Sequence, residues 1–305
     1  MSKTKNLLPR QLGDPHIRLL RIFKVVIESG GFAAAEVELN ISRPAISLAI
    51  SELESLLNMK LCNRGRSGFS ITEQGSHVYQ STLQLLGSLE TFKSQINAIN
   101  TDLVGDFNIG ITDNLVTIEQ MRITQALSAL KHRAPEVIIN IRMIPPHDIE
   151  SAILDGQLHL GVVPDLRTLP GLSYQPLYKE KSLLYCSDKH PLFNQDLHLI
   201  SDEALNKYDA VVPNYPQQAE IKQQQTMLKA AATSSDREGI AFLILTGRFL
   251  GFLPTHFAQR WVNQDKLRAI DSQQRGFDTN FSVITRKGAR SNLILEAYIE
   301  ELNKL

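Results

Sequence analysis

Ser42-Arg43-Pro44-Ala45-Ile46-Ser47-Leu48-Ala49-Ile50-Ser51-Glu52-Leu53-Glu54 is the stretch on which the reading of this chain turns. Ser42 stands where a side-chain oxygen can cap a helix by accepting a backbone N–H. Pro44 fits a first turn, where its missing amide hydrogen would have had no partner. Ile46, Ile50, Leu53 and Leu57 then recur at i, i+4, i+7 and i+11, the spacing of one buried stripe. Arg43, Pro44, Ser47, Leu48 and Ser51 fall on the other side. The stretch predicts a short helix with one core face and one open face.

Working outward, Phe32, Ala35 and Leu39 make a second short apolar stripe that ends at Asn40-Ile41, and the run Ala33-Ala34-Ala35 permits close helix contact. Two short helices joined by a tight turn predict a helix-turn-helix. Asp14-Pro15 opens an earlier helix with the stripe Leu19, Leu20, Phe23, Val26 and Ile27, ending at Gly30. Residues 1–13 before it are polar and are expected to be a mobile tail. On the other flank, Arg64-Gly65-Arg66-Ser67-Gly68 lies between Leu61 and the pair Phe69 and Ile71, which predicts a hairpin. Arg64 and Arg66 at its tip are candidates for phosphate or minor-groove contact, because a guanidinium binds phosphate bidentately. A plain solvated turn is the alternative.

Together these residues resemble the DNA-binding domain of the LysR-type transcriptional regulators. Gly30, Phe32, Ala35, Leu39, Ser42, Pro44, Ala45, Ile46, Ser47, Ile50, Leu53 and Glu54 follow that family's helix-turn-helix signature. Residues 57–64 and 71–75 follow its two wing segments. The chain departs from the pattern with Asn58 for a glycine, Cys62 for a phenylalanine, Gly31, Ala33 and Ala34 at places usually polar or basic, and Leu48 where a polar reader is common. The resemblance implies an all-α winged helix-turn-helix head at 14–72 that binds promoter DNA. Arg43, Pro44, Ala45, Ser47, Leu48 and Ser51 are the expected DNA-facing residues of the helix: Arg43 is the one able to read a guanine, and Ala45 or Leu48 can touch thymine methyls.

With 305 residues the chain is long enough for two or three domains and a sizeable core. Its 32 basic and 32 acidic residues balance, yet residues 1–70 carry ten Lys or Arg against six Asp or Glu, a net +4. A mildly basic head on a slightly acidic body suits a DNA-binding module joined to a separate sensing body. Cys62 and Cys186 are far apart with no metal-ligand spacing, which points to a reducing cytoplasm, no structural metal and no cofactor. No apolar run approaches the ~20 residues of a membrane span, and the start lacks a signal-peptide pattern.

Residues 73–100 predict one long helix. Val78, Thr82, Leu85, Leu89, Phe92, Ile96 and Ile99 alternate four and three apart, a coiled-coil seam in which only Thr82 is polar. Val78, Leu85, Leu89, Phe92 and Ile96 are the expected dimer contacts. A helix lying on its own domain is the competing arrangement, kept open by Leu83 and Leu86. Paired heads would set two recognition helices about 34 Å apart and call for an inverted-repeat site.

From 101 onward strands and helices alternate: strands at 105–111, 137–143 and 158–163, helices at 121–130 and from about 147 to 154. The same rhythm resumes with strands at 182–187, 210–212 and 229–232, and a helix from Asp236 opened by a capping box of Ser235 and Glu238. A return strand at 281–285 and a final helix at 291–302 follow. The pattern predicts a mostly parallel sheet covered by helices, with ligands beyond the carboxyl ends of strands. It resembles the family's α/β effector-binding domain, built like a periplasmic binding protein, with lobe I at about 101–174 and 270–305 and lobe II at about 175–269. The landmarks are Gly110, Leu130, Pro135, Gly156, Leu158, His190-Pro191-Leu192, Gly251, Leu253 and Pro254.

Loops after strands nominate Thr112, Asp113 and Asn114 from one lobe and Thr233, Ser234 and Ser235 from the other as effector contacts, plain helix caps being the alternative. Pro145-Pro146 removes two amide donors beside them, and Asp113 disfavours a bare dianion while allowing an amine, a polyol or a mixed-charge ligand. His159 is either a pH-sensitive group or an ordinary strand-edge histidine. The eight histidines are scattered, and no HExxH, GxSxG or phosphate-binding glycine loop is present, so no catalytic set assembles. The expected protein is a cytoplasmic, ligand-responsive transcriptional regulator acting as a homodimer or homotetramer, with RNA polymerase as a further partner. The alternative is a cytoplasmic small-molecule-binding protein whose head binds DNA only non-specifically.

Overall fold

The structure, a computed structural model, describes residues 13–65, 68–99, 103–195, 200–215, 217–270, 275–288 and 292–305. Arg66, the tail before residue 13 and the junction at 100–102 therefore lie outside the described residues, as does the side chain of Arg64. The chain divides into two compact units, Met1–Phe92 and Lys93–Leu305.

The first unit contains α1 (Asp14–Glu28), α2 (Phe32–Leu39), α3 (Arg43–Leu57), the strands β1 (Cys62–Gly65) and β2 (Gly68–Ile71), and most of α4 (Glu73–Ile99). Phe23, Val26, Ala35, Ile46, Ile50, Leu53 and Leu61 form its core, so the stripe expected on 42–54 faces inward. Two of the positions that depart from the family pattern, Asn58 and Cys62, are accommodated. Asn58 ends α3 at φ +51°, a left-handed conformation that asparagine tolerates nearly as well as glycine, and Cys62 is fully buried in the core.

Two side chains tie the wing to the helices. The Glu54 carboxylate accepts the backbone N–H groups of Leu61 (2.8 Å) and Cys62 (3.2 Å). Thr72 donates to the Lys60 carbonyl (2.6 Å) and accepts from the Gly75 amide (2.9 Å), joining the end of β2 to the start of α4. Phe69 of β2 meets Phe32 of α2 edge to face, centroids 5.8 Å apart. The Ser42 cap needs correction. Ser42 is the N-cap residue, but its side chain makes no capping bond; instead Glu36 of α2 accepts the Arg43 amide at 3.1 Å. A longer carboxylate one helix away does the work assigned to the hydroxyl.

On α4, Val78 and Leu85 pack against the head's own core, and Thr82 is buried with its hydroxyl donated to the Val78 carbonyl at 2.7 Å. Further along, Phe92 is 58% and Ile96 47% exposed. The first half of the seam thus lies on its own domain, and the second half faces outward.

The second unit contains β3 (Gly105–Ile111), α5 (Arg122–Arg133), β4 (Val137–Met143), α6 (Pro146–Leu154), β5 (Leu160–Pro164), β6 (Leu172–Ser187), α7 (Asp202–Leu205), β7 (Asp209–Pro213), α8 (Ala219–Thr226), β8 (Lys229–Ser234), α9 (Arg237–Leu245), β9 (Gly251–Pro254), α10 (Thr255–Val262), β10 (Leu267–Ala269), β11 (Gly276–Arg286) and α11 (Leu293–Asn303). β3 lies between β4 and β5, parallel to both. The expectation of a mostly parallel sheet fails beyond that trio. β11 is antiparallel to β5 and to β6, and β6 is also antiparallel to β9 and β10; β7 and β8 pair in parallel on their own.

The 16-residue β6 and its partner β11 form a spine shared by the two lobes. On the β3–β5 side the core holds Phe107, Leu130, Val162, Phe281 and Tyr298, with Ile149, Ile153 and Ile284 beneath α6. On the other side Leu184, Cys186, Leu250 and Phe252 form one cluster, and Tyr185, Ile240, Leu253 and Phe257 another. Only 182–187 of β6 reads as a strand in sequence, because Ser173, Gln175, Pro176, Lys179 and Lys181 interrupt the apolar pattern over its first half. That half is held in place by its ladder to β11.

His159 takes the ordinary structural role. Its Nδ1 accepts the Asn108 amide at 3.1 Å, its ring stacks on Phe107, and burial holds its pKa below the usual value. The capping box at Ser235 and Glu238 is also corrected. The N-cap of α9 is Asp236, whose carboxylate accepts the Gly239 amide at 2.7 Å, while Ser235 donates to Asp236 at 3.1 Å. A carboxylate one residue further on outcompetes the hydroxyl for the orphan amides.

Candidate DNA-binding surface and effector cleft

On α3 the apolar stripe is turned into the head, and Arg43, Pro44, Ala45, Leu48 and Ser51 are exposed, with Ser47 half-buried. Leu48 is 71% exposed, a large apolar side chain at the middle of a polar face. The Ser51 hydroxyl donates back to the Ser47 carbonyl at 2.9 Å. On α2 the outward residues are Ala33, Ala34, Glu36, Val37 and Glu38, so no basic side chain of that helix faces out. Arg43 is the basic side chain exposed on α3 itself.

In the second unit a cavity of about 250 Å³ opens among the ends of β3, β4 and β5 and the start of α9. Thr112, Asp113, Pro145, Tyr215, Ser235 and Arg237 line it. Of the nominated effector residues, Thr112, Asp113 and Ser235 are thereby brought together. Asn114 stands just behind, donating to Asp113 at 2.8 Å. Ser234 turns inward to the Asp236 carbonyl at 2.9 Å, and Thr233 is exposed outside this wall.

The wall is dominated by a charged network whose centre, Arg237, sequence reasoning passed over. Its Nη1 pairs with Asp113 at 2.7 Å, its backbone amide donates to the same carboxylate at 2.8 Å, and its Nη2 reaches Glu180 at 3.1 Å. Glu180 also meets His256 at 3.0 Å, and the other nitrogen of that ring lies 2.6 Å from the Thr117 hydroxyl. Burial works against the Arg237 charge, but Glu180, Tyr215 and Asp113 outweigh it and hold the guanidinium above its usual value. Burial likewise keeps the Tyr215 phenol protonated.

Asp113 therefore does not present a bare negative charge to the cavity. The wall carries both signs, and it offers donors from Arg237 and Tyr215 in place of the amides that Pro145-Pro146 lacks. The available signal for Arg237 was its place as first residue of a helix whose N-cap was misassigned by one position. Glu180 lay in the half of β6 that does not read as a strand. Among the described residues no group of three or more His, Cys, Asp or Glu could hold a metal ion, and no helix is long and apolar enough to cross a membrane.

A helix-turn-helix head with a wing, followed by an α/β unit with a lined cleft, is the architecture of a one-chain sensor and DNA binder. Residues 17–76 match the model of the bacterial regulatory helix-turn-helix proteins of the LysR family, and residues 101–305 match the LysR substrate-binding domain. The chain belongs to the LysR family of transcriptional regulators: it is a ligand-responsive, DNA-binding regulator, and its relatives are regulators rather than enzymes.

Among relatives, the HTH-type transcriptional activator BauR of Pseudomonas aeruginosa is 49% identical over 301 residues, covering 98% of each chain. The regulator YtlI of Bacillus subtilis is 25% identical over 207 residues, 68% of this chain and 66% of its own. Of solved structures, CbnR, a LysR family transcriptional regulator, matches with a TM-score of 0.67 at 18% identity over 94% of this chain and 98% of its own. Full-length CbnR complexed with its target DNA matches at 0.66 with 20% identity over the same shares. These likenesses place the fold of the whole chain with full-length family members.

Proposed function

We propose that the chain is a cytoplasmic, sequence-specific regulator that binds inverted-repeat promoter sites as a homodimer or homotetramer, and that a small polar effector in the cleft shifts the placement of its heads. The observation that carries this reading is the open face of α3, where Arg43, Ala45, Leu48 and Ser51 stand exposed on a helix whose opposite face is core. Arg43 reads a guanine, Ala45 and Leu48 meet thymine methyls, and Arg64 and Arg66 act through phosphates. The working division is a head at 14–72, a linker at 73–100 with Leu89, Phe92 and Ile96 as the outward dimer contacts, and lobes bounded near 174 and 270.

The mixed-charge wall around Asp113 and Arg237 suits an effector that is itself of mixed charge, or an amine or polyol able to replace part of the network. For the ligand to shift the heads it must bind the two arrangements with different affinity. Activation, the role in the name of the relative BauR, is the output we assign, with RNA polymerase as the partner it requires.

Titration of the purified protein against DNA from upstream of its own gene and against a scrambled duplex, at several salt concentrations, tests the reading. A preference of at least ~10³ for the native fragment supports it. Arg43→Ala then erodes discrimination, whereas Arg66→Ala weakens binding to both duplexes and flattens the salt slope by about one unit. Weak, equal and steeply salt-dependent binding to both duplexes would instead mean that the apolar Leu48 and the α2 face without cations have cost the head its readout.

A further inference from the structure

One short loop on the β3–β5 side of the spine is gripped at both ends by the opposite side. It runs from Asp113 to Thr117, and Asn114 turns it at φ +64° while donating to Asp113 at 2.8 Å. At its start, Asp113 accepts from the Arg237 side chain at 2.7 Å and from the Arg237 amide at 2.8 Å, where α9 begins. At its end, the Thr117 hydroxyl lies 2.6 Å from His256 of α10. A third bridge crosses elsewhere: Gln218, just before α8, donates to the Asp165 carbonyl, just after β5.

The two grips are unequal in what holds them. Arg237 Nη2 reaches Glu180 of β6 at 3.1 Å, and its guanidinium lies 5.8 Å from the ring centre of Phe281 on β11. His256 also meets Glu180, at 3.0 Å. Both gripping residues are therefore anchored to the spine itself. Asp113 has no such anchor beyond its own loop, and its partly exposed carboxylate regains water when it lets go. The loop is the part free to leave.

Behind Arg237 lies an inner space whose lining includes Glu180, Ser182, Phe277 and Thr279. Arg237 and Tyr215 line both this space and the outer cavity of about 250 Å³, so they stand as the partition between the two. The inner space measures about 40 Å³, which admits a few water molecules but no organic ligand. Its wall is nevertheless polar, with Glu180, Ser182 and Thr279 all buried there. Polar groups at the bottom of a cleft become reachable only if the two sides part, and β6 and β11, which run through both, are the strands about which they would part.

We propose that the loop 113–117 is a built-in latch: the Asp113–Arg237 pair, helped by Thr117–His256, holds the cleft shut over its inner wall, and release of Asp113 opens it. The regulatory consequence rests on the reading of the cleft as the effector site. An effector gains the inner wall only from the unlatched population, so the strength of the latch sets the effector's apparent affinity.

The test is the reactivity of a thiol placed behind the partition, in the full-length protein without DNA or effector. Ser182→Cys changes little in size, and the introduced thiol is reached by a neutral maleimide only when the cleft opens. Cys186, buried further along the same strand, reacts only when the core itself opens, and mass spectrometry reads the two separately. In the parent background the introduced thiol reacts far more slowly than in the unfolded chain. Asp113→Asn, which keeps the side chain's size and removes its charge, speeds that reaction about tenfold to a hundredfold, the worth of one charge-assisted hydrogen bond. Thr117→Val speeds it about threefold to tenfold. Glu300→Gln, which breaks the exposed pair between α11 and Arg133, leaves it within about twofold. Cys186 keeps its slow rate in every variant.

The latch is overturned if the introduced thiol reacts in the parent as fast as in the unfolded chain, or if Asp113→Asn leaves its rate unchanged. It is equally overturned if Asp113→Asn speeds that thiol only in step with Cys186, since the substitution would then loosen the fold and not the cleft. Neither DNA nor effector enters this assay, so its failure strikes the latch and leaves the effector reading standing.

Discussion

Replacing Arg237 with glutamine removes the cation that holds Asp113 and Glu180 together. The Glu180 side chain is 1% exposed and that of Arg237 12%, so the charge left behind on Glu180 is buried. Breaking a buried pair by deleting one partner costs about 3–5 kcal/mol, because the remaining ion is neither solvated nor paired. Here the lower end applies. Glu180 keeps His256 at 3.0 Å, and Asp113, a third exposed, recovers some hydration. For a unit the size of residues 101–305, a loss of about 3 kcal/mol lowers the melting temperature by roughly 6–12 °C. Calorimetry of the full chain reads this directly, since the transition of the head serves as an internal reference. Glu180→Gln in the Arg237→Gln background should recover at least about 1 kcal/mol relative to the sum of the single changes, because the orphaned charge is gone. A drop below about 2 °C, or strict additivity in the double variant, would refute the view that this network is a buried, mutually dependent unit.

Three further outcomes follow from the packing. Gly75→Ala places a Cβ against the Leu61 carbonyl oxygen, where backbone must move, and should destabilise the head by about 1–3 kcal/mol while leaving the second transition in place; an unchanged head transition in calorimetry contradicts the wing geometry. Burial depresses the His159 pKa below 6.5, so its neutral form stabilises the fold; that contribution is present above pH 6.5 and lost as pH falls through the lower folded value. His159→Gln should therefore flatten the loss of melting temperature on acidification, and an identical acid profile for variant and parent would remove His159 from the account. Cys62 and Cys186 are both buried, and burial pushes the Cys186 thiol up to about 12. Neither should react with a thiol reagent at pH 8 until the chain unfolds, when both should; rapid labelling of the native protein would show that these core clusters open.

The head was legible almost residue by residue because its information is local. The stripe Ile46, Ile50, Leu53 and Leu57 makes one helix amphipathic, and its open face follows without knowledge of anything beyond the neighbouring helices. Where a long-range partner decides, the reading slipped. Glu36, on the neighbouring helix, takes the amide expected to go to Ser42; at α9 the competition is local, and the Asp236 carboxylate caps in place of Ser235. The seam on α4 was visible, but periodicity could not say that Val78 and Leu85 would be used by the head itself while Phe92 and Ile96 stayed exposed.

The cleft shows the same limit more sharply. Thr112, Asp113 and Ser235 could be nominated because each follows a strand. Arg237, Glu180 and His256 could not, since their meeting depends on β6 passing through both lobes and on its pairing with β11. By itself the sequence determined the class of the protein, the amphipathic helix at the centre of the head and the strand-helix alternation of 105–163, all of which rest on local pattern; the short elements α7, α8, α10, β9 and β10 carry too few residues to show one. Only the tertiary structure decided the antiparallel spine and the mixed charge of the cleft. Those arise where residues 50 or more positions apart are forced into a low-dielectric interior, where each polar group needs a partner that local pattern does not specify.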